Sequence, residues 1–132
     1  NVLEVKNLCK YFDVNRGMKG AQKVIAVDGI SFEVKKGETF GLVGESGCGK
    51  SVTSQSIMRL SDEKEEVSYS GTVRFEGENL MEIPYKEMDK IRGNRIAMIF
   101  QDALSSLNPV YTVGNQVVEA ICIHQNVEKK EA

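Results

Sequence analysis

No stretch of this sequence approaches the roughly 20 consecutive apolar residues that a helix needs to cross a bilayer, and no secretory signal segment is visible at its start. Paired cysteines are missing too. The three present, Cys9, Cys48 and Cys122, are odd in number, widely spaced and free of any C-x-x-C pattern. That excludes a disulfide framework or a zinc site of ordinary spacing and fits a reducing compartment. There is no basic excess: 17 Lys and Arg stand against 19 Asp and Glu, for a net charge of −2. No basic stripe marks a nucleic-acid partner, so any phosphate must be bound by local geometry and not by a global field. Histidine occurs once, as His124. No acid or nucleophile is placed beside it, so it reads as a helix-face residue and not as a catalytic base. No internal repeat is found.

What remains is ordinary for a globular chain. With 132 residues, 41% hydrophobic and 27% charged, it is long enough for one compact domain with a sizeable core. It starts at Asn1 and stops just past an apparent helix, so both ends read as cut and the chain as a piece of a longer protein.

The first third is strand-rich. Val2 to Leu8 alternate apolar and polar residues, as a half-buried strand does. Residues 13–23 are polar and glycine-bearing and predict a solvated hairpin loop. Val24-Ile25-Ala26-Val27 and Ile30-Ser31-Phe32-Glu33-Val34 predict two short strands with Asp28-Gly29 as the turn between them. After a turn at residues 35–38, Glu38-Thr39-Phe40-Gly41-Leu42-Val43 reads as a further strand.

That strand runs into Gly44-Glu45-Ser46-Gly47-Cys48-Gly49-Lys50-Ser51, a complete G-x-x-x-x-G-K-[ST] phosphate-binding loop. Glycines let backbone N–H groups turn inward around anionic oxygens. Lys50 brings a point charge to the outer phosphates, and Ser51 a small hydroxyl for magnesium. Val52 and the residues to Leu60 have no Pro or Gly and predict a helix whose N-terminus favours anions. A flexible Gly/Ser turn is the plain alternative, and the strand-loop-helix context argues against it. Cys48 lies inside the loop, so alkylating it is expected to block a nucleotide by bulk.

Beyond the loop, residues 61–66 form a charged run that reads as a solvated surface loop. Residues 71–77 predict another strand, and Pro84 begins a helix ending near Ile91. Arg95-Ile96-Ala97-Met98-Ile99-Phe100 is nearly continuous apolar sequence, as in a buried parallel strand, with Gln101-Asp102 at its carboxyl end. Thr112 is a plausible N-cap for a last helix whose Val113, Val117, Ala120, Ile121 and His124 share one face.

The order of these parts resembles the nucleotide-binding subunit of ABC transporters. Residues 26–32 and 41–51, Ile91-Arg92-Gly93 leading to Ile99-Phe100-Gln101-Asp102, Ser105-Ser106-Leu107-Asn108-Pro109 and Val113-Gly114 are similar to the oligopeptide/dipeptide importer branch across essentially the whole chain. The resemblance implies an α/β fold: a P-loop NTPase core with an N-terminal antiparallel β-subdomain, truncated before the signature motif and the second acidic motif. It divides the chain into a β-subdomain (1–40 and 67–80), ATPase core (41–60 and 81–101) and the start of a helical subdomain (102–132).

It also implies roles. ATP and magnesium are the ligands, held by residues 44–52. An aromatic after the first strand stacks on adenine; Phe12 fits the spacing better than Tyr11, although a core aromatic is the alternative. Gln101 helps hold magnesium and the attacking water, so Lys50 and Gln101 are the catalytic candidates and Ser51 and Gln101 the metal candidates. Permease subunits in the membrane are expected to dock near residues 101–111, a second ATP-binding subunit to complete a homo- or heterodimer, and the assembly to lie on the cytoplasmic face of the membrane. The signature motif, catalytic glutamate and switch histidine are not in this sequence, and His124 comes too early to be the last. The chain thus holds the binding half of an ATPase site, and alone is expected to bind ATP weakly and not to turn it over. A soluble phosphotransferase or GTPase is a competing class, opposed by the missing N-K-x-D element and the long leader before the loop. A nucleotide-binding module without hydrolysis is another.

Overall fold

The computed structural model describes residues 1–14, 22–62, 66–102, 106–125 and 127–131. The chain forms two compact units, residues 1–88 and 89–132.

The first unit is built on an antiparallel sheet of four strands: β1 (Leu3–Val14), β2 (Gln22–Val34), β3 (Val67–Phe75) and the short β4 (Glu78–Asn79), in the order β2-β1-β3-β4. The alternation in the first residues places β1 centrally, with Val5 paired to Phe32 on one edge and Val73 on the other. Val5, Leu8, Val27, Val73 and Phe75 are buried, with Ile57 and Met58 at the end of α1 (Lys50–Ile57) and with Leu80 and Met88. Each such side chain contributes on the order of 2 kcal/mol by leaving water.

β1 and β2 run further than the sequence suggests. Asp13 pairs with Lys23 and Val14 with Gln22, positions expected in the hairpin loop. The rest of that loop, 15–21, lies outside the described residues. Asp28-Gly29 is no turn. It lies within a continuous β2 as a bulge opposite Cys9, with Gly29 at φ +61° and its N–H donated to Cys9 Sγ at 3.1 Å. A glycine at positive φ signals a turn or a bulge equally well, and the pairing of β1 on both sides decides for the bulge. A second bulge pairs Lys10 with Val27 but Tyr11 with Ile25, leaving Ala26 as the extra residue.

After α1 the chain is less solvated than its charges imply. Arg59 donates from Nε to Asp62 (2.6 Å) and from Nη1 to the carbonyls of Leu80 (2.9 Å) and Ile83 (2.7 Å). Both Arg59 and Asp62 are largely covered. The start of the expected surface loop is therefore an anchor; residues 63–65 lie outside the described set. Pro84 accepts from the N–H of Glu87 at 2.9 Å and opens α2 (Tyr85–Ile91), as expected.

Two expected strands do not form. Residues 38–43 and 97–100 carry no strand pairing. Val43 is 91% and Ile99 92% exposed, and Phe100, Phe40 and Leu42 are also exposed. A parallel strand needs hydrogen-bonding neighbours and cover on both faces, and among the described residues these segments have neither. Phe40 instead stacks on Phe32 with ring centroids 4.9 Å apart.

In the second unit, Arg92 to Ile96 close a tight turn in which Gly93 donates to the Ile96 carbonyl at 2.8 Å. Gly93 has φ +74°, and the imidazole of His124 lies so close that a Cβ on Gly93 would sit 2.6 Å from Nε2. Helix α3 (Val113–Gln125) starts as expected, with Thr112 Oγ1 accepting from the N–H of Asn115 at 3.3 Å. Gln116 was not singled out in the sequence, yet it clasps the segment before α3. It accepts from Asn108 N–H at 2.9 Å and donates to the carbonyls of Asn108 and Tyr111, both at 3.0 Å. No residue of α3 is fully buried; of its apolar stripe Val113, Val117 and Ala120 are exposed and Ile121 and His124 half-buried.

Candidate functional site

The phosphate motif folds into a loop ending at the N-terminus of α1, with Gly49 as the N-cap residue. Gly49 has φ +92° and ψ 8°, and a Cβ there would sit 2.9 Å from the carbonyl oxygen of Ala26. Only glycine enters this position without strain. At Gly44 a Cβ would meet Cys48 Sγ at 2.5 Å, so a side chain there would have to displace the Cys48 sulfur, while Gly49 is held to glycine by both space and backbone.

The first helical hydrogen bond runs from Thr53 N–H to the Gly49 carbonyl at 2.8 Å, and the Thr53 hydroxyl donates to the same oxygen at 2.9 Å. The amides of Lys50, Ser51 and Val52 precede it. They are the first-turn donors that no residue four places back can satisfy. A helix start with such donors and a cradle that a side chain would fill is what an anionic oxygen fits.

Lys50 lies across this loop. Its Nζ donates to the carbonyls of Gly44 (2.8 Å) and Glu45 (2.6 Å) and lies 3.6 Å from Cys48 Sγ. The ammonium is therefore engaged with its own loop and not with another element. Two neutral carbonyls are weaker partners for a cation than a charged phosphate oxygen. Cys48 and Ser51 are exposed, as are Glu45, Ser46 and Gly47. Among the described residues no group of three or more His, Cys, Asp and Glu could hold a metal. The candidate ligand for magnesium in this unit is the exposed Ser51 hydroxyl. That fits an ion which keeps several waters and binds through one or two side chains and the substrate's phosphates.

The sheet sets where the aromatic candidates lie. Phe12 pairs with Val24, two residues from the bulged Ala26 whose carbonyl abuts Gly49. Phe12 is thus on the stretch of sheet that borders the phosphate loop. Tyr11 and Phe12 point to opposite faces by strand alternation. The bond to Cys9 raises the Tyr11 phenol pKa, and a bond to Ser70 opposes this in part. The Cys9 thiol is correspondingly lowered, first by Tyr11, then by Ser70 and the Gly29 amide. Cys9 and Cys122 are only partly covered, not the buried small hydrophobes the sequence suggests.

On the Phe12 side sits a residue the sequence did not single out. Lys10 is 1% exposed, with Nζ 2.9 Å from Ser61 Oγ, 5.0 Å from the Phe12 ring centroid and 5.5 Å from that of Tyr69. A lysine between strand residues reads as solvent-facing, and only the fold shows it inside. Gln101 lies in an exposed bend of the second unit. That unit also has a groove of about 680 Å³ along α3, lined in part by Tyr111, Glu119, Cys122 and Ile123, which includes none of the phosphate-loop residues.

Comparison with known proteins adds the family. The ABC transporter family profile matches residues 27–132. The oligopeptide transport ATP-binding protein AppD of Bacillus subtilis is 44% identical over 131 residues, covering 99% of this chain and 38% of its own length. The dipeptide transport ATP-binding protein DppD of the same organism is 48% identical over the same coverage. A probable peptide ABC transporter ATP-binding protein, y4tR of Sinorhizobium fredii, is 53% identical over 81% of this chain and 32% of its own. The chain thus spans 32% to 38% of the length of these relatives. Among solved structures, the ATP-binding cassette MJ0796, in a dimeric post-hydrolysis state bound to ADP and Pi, matches with a TM-score of 0.71. The match covers 90% of this chain and 46% of that one at 23% identity, a likeness of fold.

Proposed function

This chain belongs to the ABC transporter family, and from that premise we propose that it is the nucleotide-binding part of an ATP-driven importer of oligopeptides or dipeptides. The observation that carries the proposal is the loop at residues 44–52, which ends in the glycine N-cap of α1 with no side chain capping the helix start and with the Lys50 ammonium lying on the loop's own carbonyls. The names of relatives 44% and 48% identical over nearly the whole chain support peptides as cargo.

In this reading the amides of residues 47–52 bind the phosphates, and Lys50 exchanges its two carbonyl partners for phosphate oxygens. There it offsets the charge that builds as the terminal phosphoryl group leaves. Magnesium, held by Ser51 and Gln101, would neutralise the same oxygens. Gln101 has both donor and acceptor and orients the attacking water. Phe12 offers a flat apolar face to adenine. Hydrolysis in the whole protein requires residues that this sequence does not contain, so the isolated chain binds ATP weakly and does not turn it over. Residues 1–40 and 67–80 act as the β-subdomain, 41–60 and 81–101 as ATPase core, and 102–132 as the start of the helical subdomain.

The dimer named for the solved cassette supports a second ATP-binding subunit as partner. Permease subunits would dock near residues 101–111, holding the protein on the cytoplasmic face of the membrane. No helix among the described residues is long and apolar enough to cross it. Competition of labelled ATP by unlabelled ATP and GTP, with and without magnesium, tests the nucleotide reading. Absence of any ATP binding, or preference for GTP, would end it. Sustained hydrolysis by the pure chain would contradict the division into a binding half and a missing hydrolytic half.

A further inference from the structure

A buried ammonium group needs a reason. Lys10 is covered as completely as the apolar residues Val5 and Leu8, and moving a charge out of water costs several kcal/mol unless partners replace the solvent. Its partners include the Ser61 hydroxyl at 2.9 Å and two aromatic rings. Both rings come from strand pairing. Tyr69 is the direct cross-strand partner of Lys10 in β3, and Phe12 lies two residues on along the same face of β1. The lysine stem thus runs under the two rings and delivers its charge against them.

We propose that Lys10 is a positioning residue for base recognition. It holds the Phe12 ring from one face, so that the other face is presented, in a fixed orientation, to the purine of the bound nucleotide. The inference rests on the reading above that Phe12 stacks the base and residues 44–52 hold the phosphates. Two effects act together. The cation attracts the ring's negative face and fixes its rotamer, so less side-chain freedom is lost on binding. It also draws π density toward itself, leaving the opposite face less repulsive to an electron-rich purine. Lys10 touches no substrate in this arrangement; it acts through Phe12.

The test separates base from phosphate. ATP and tripolyphosphate are titrated against the 132-residue chain and against Lys10→Met, Lys10→Arg, Phe12→Leu and the Lys10→Met/Phe12→Leu double variant. Lys10→Met is expected to weaken ATP roughly fivefold and to leave tripolyphosphate within about twofold. Lys10→Arg is expected to retain ATP affinity, because it keeps a cation over the ring. In the Phe12→Leu background the further change Lys10→Met is expected to cost nothing more, as a residue acting only through Phe12 requires. Equal losses for ATP and tripolyphosphate, no loss for ATP, or a full additional loss in the double variant would each overturn the proposal. The unaltered chain offers a test that does not depend on folding of variants. The NMR signals of the Lys10 ε-methylene are expected to shift on adding ATP and to stay put on adding tripolyphosphate, and any other pattern counts against the proposal. If the unaltered chain binds neither compound, the phosphate-loop reading itself falls. If it binds both equally, that reading stands and only the base-stacking arrangement is lost.

Discussion

Replacing Lys50 by Ala should damage binding far more than it damages the fold, and the structure allows the two costs to be estimated separately. In the free chain the ammonium makes two hydrogen bonds to carbonyls of its own loop, at 2.8 Å from Gly44 and 2.6 Å from Glu45. The loop is exposed, so both carbonyls can be solvated when the lysine is removed. The stability cost is then about 1 kcal/mol or less. With a triphosphate in place, the same ammonium would face full negative charge at about 4 Å, an interaction of about 1 kcal/mol in water and about 4 kcal/mol at the effective dielectric of a protein surface. Giving up the carbonyl bonds offsets part of this. A net contribution of about 2 kcal/mol, or roughly thirtyfold in affinity, is what remains.

Two measurements on one pair of proteins decide the matter. Titration of labelled ATP should show the roughly thirtyfold loss, and thermal unfolding without nucleotide should show a midpoint moved by only a few degrees. A loss of ATP affinity below about threefold would mean that the ammonium does not meet the phosphates. A large fall in the unfolding midpoint would mean that Lys50 is a structural strut of the loop and that lost binding only reports lost structure.

Other perturbations have narrower readouts. Gly49→Ala must enter φ +92° and meet the Ala26 carbonyl at 2.9 Å. It should distort the loop and abolish measurable ATP binding, and retained binding would show that the cradle is not the site. Complete alkylation of Cys48, whose sulfur lies 3.6 Å from Lys50 Nζ, should block ATP by bulk, an outcome refuted if affinity is unchanged. Gly93→Ala carries a left-handed backbone worth about 1–2 kcal/mol and a collision with His124. It should speed amide exchange in α3, and adding His124→Ala should restore only the part due to the collision. Hydrogen bonds to sulfur hold the Cys9 thiol below its ordinary value, Tyr11 first among them. The pH dependence of Cys9 alkylation should therefore inflect below that of a free cysteine and move up in Tyr11→Phe. Because the folded-state value is the depressed one, the thiol's titration favours the folded chain above its unfolded pKa, and that benefit disappears as pH falls through the folded one; the raised Tyr11 phenol acts the other way at higher pH.

Much of the phosphate motif's conformation was legible because its logic is local. Residues 44–51 state their own conformation: glycines where φ is positive or a Cβ would collide, then a run free of Pro and Gly. Thr112 and Pro84 announced the helices they start, for the same reason. What failed was whatever depends on distant partners. Asp28-Gly29 reads as a turn until β1 is seen to pair along the whole of β2. Lys10 reads as a surface residue until Tyr69 and Ser61, some fifty positions away, are seen to enclose it. Asp62 reads as solvated until Arg59 bridges it to carbonyls twenty residues further on.

The two strands that do not form make the same point about energetics. Residues 38–43 and 95–100 have the composition of strands buried on both faces, a pattern that presumes neighbours. Parallel neighbours arrive only through crossover connections of a dozen or more residues each. This chain spans 38% of the length of AppD and DppD. Without such neighbours, Val43 and Ile99 face water, and nothing in their own sequence can compensate. The phosphate loop, by contrast, needs only the start of its own helix and the bulged carbonyl of Ala26. The conformation of residues 44–52 can thus be set within the first unit. Strands that pair with residues 38–43 and 95–100 should therefore take Val43 and Ile99 out of water, which slowed amide exchange of those two residues would show and unchanged exchange would refute.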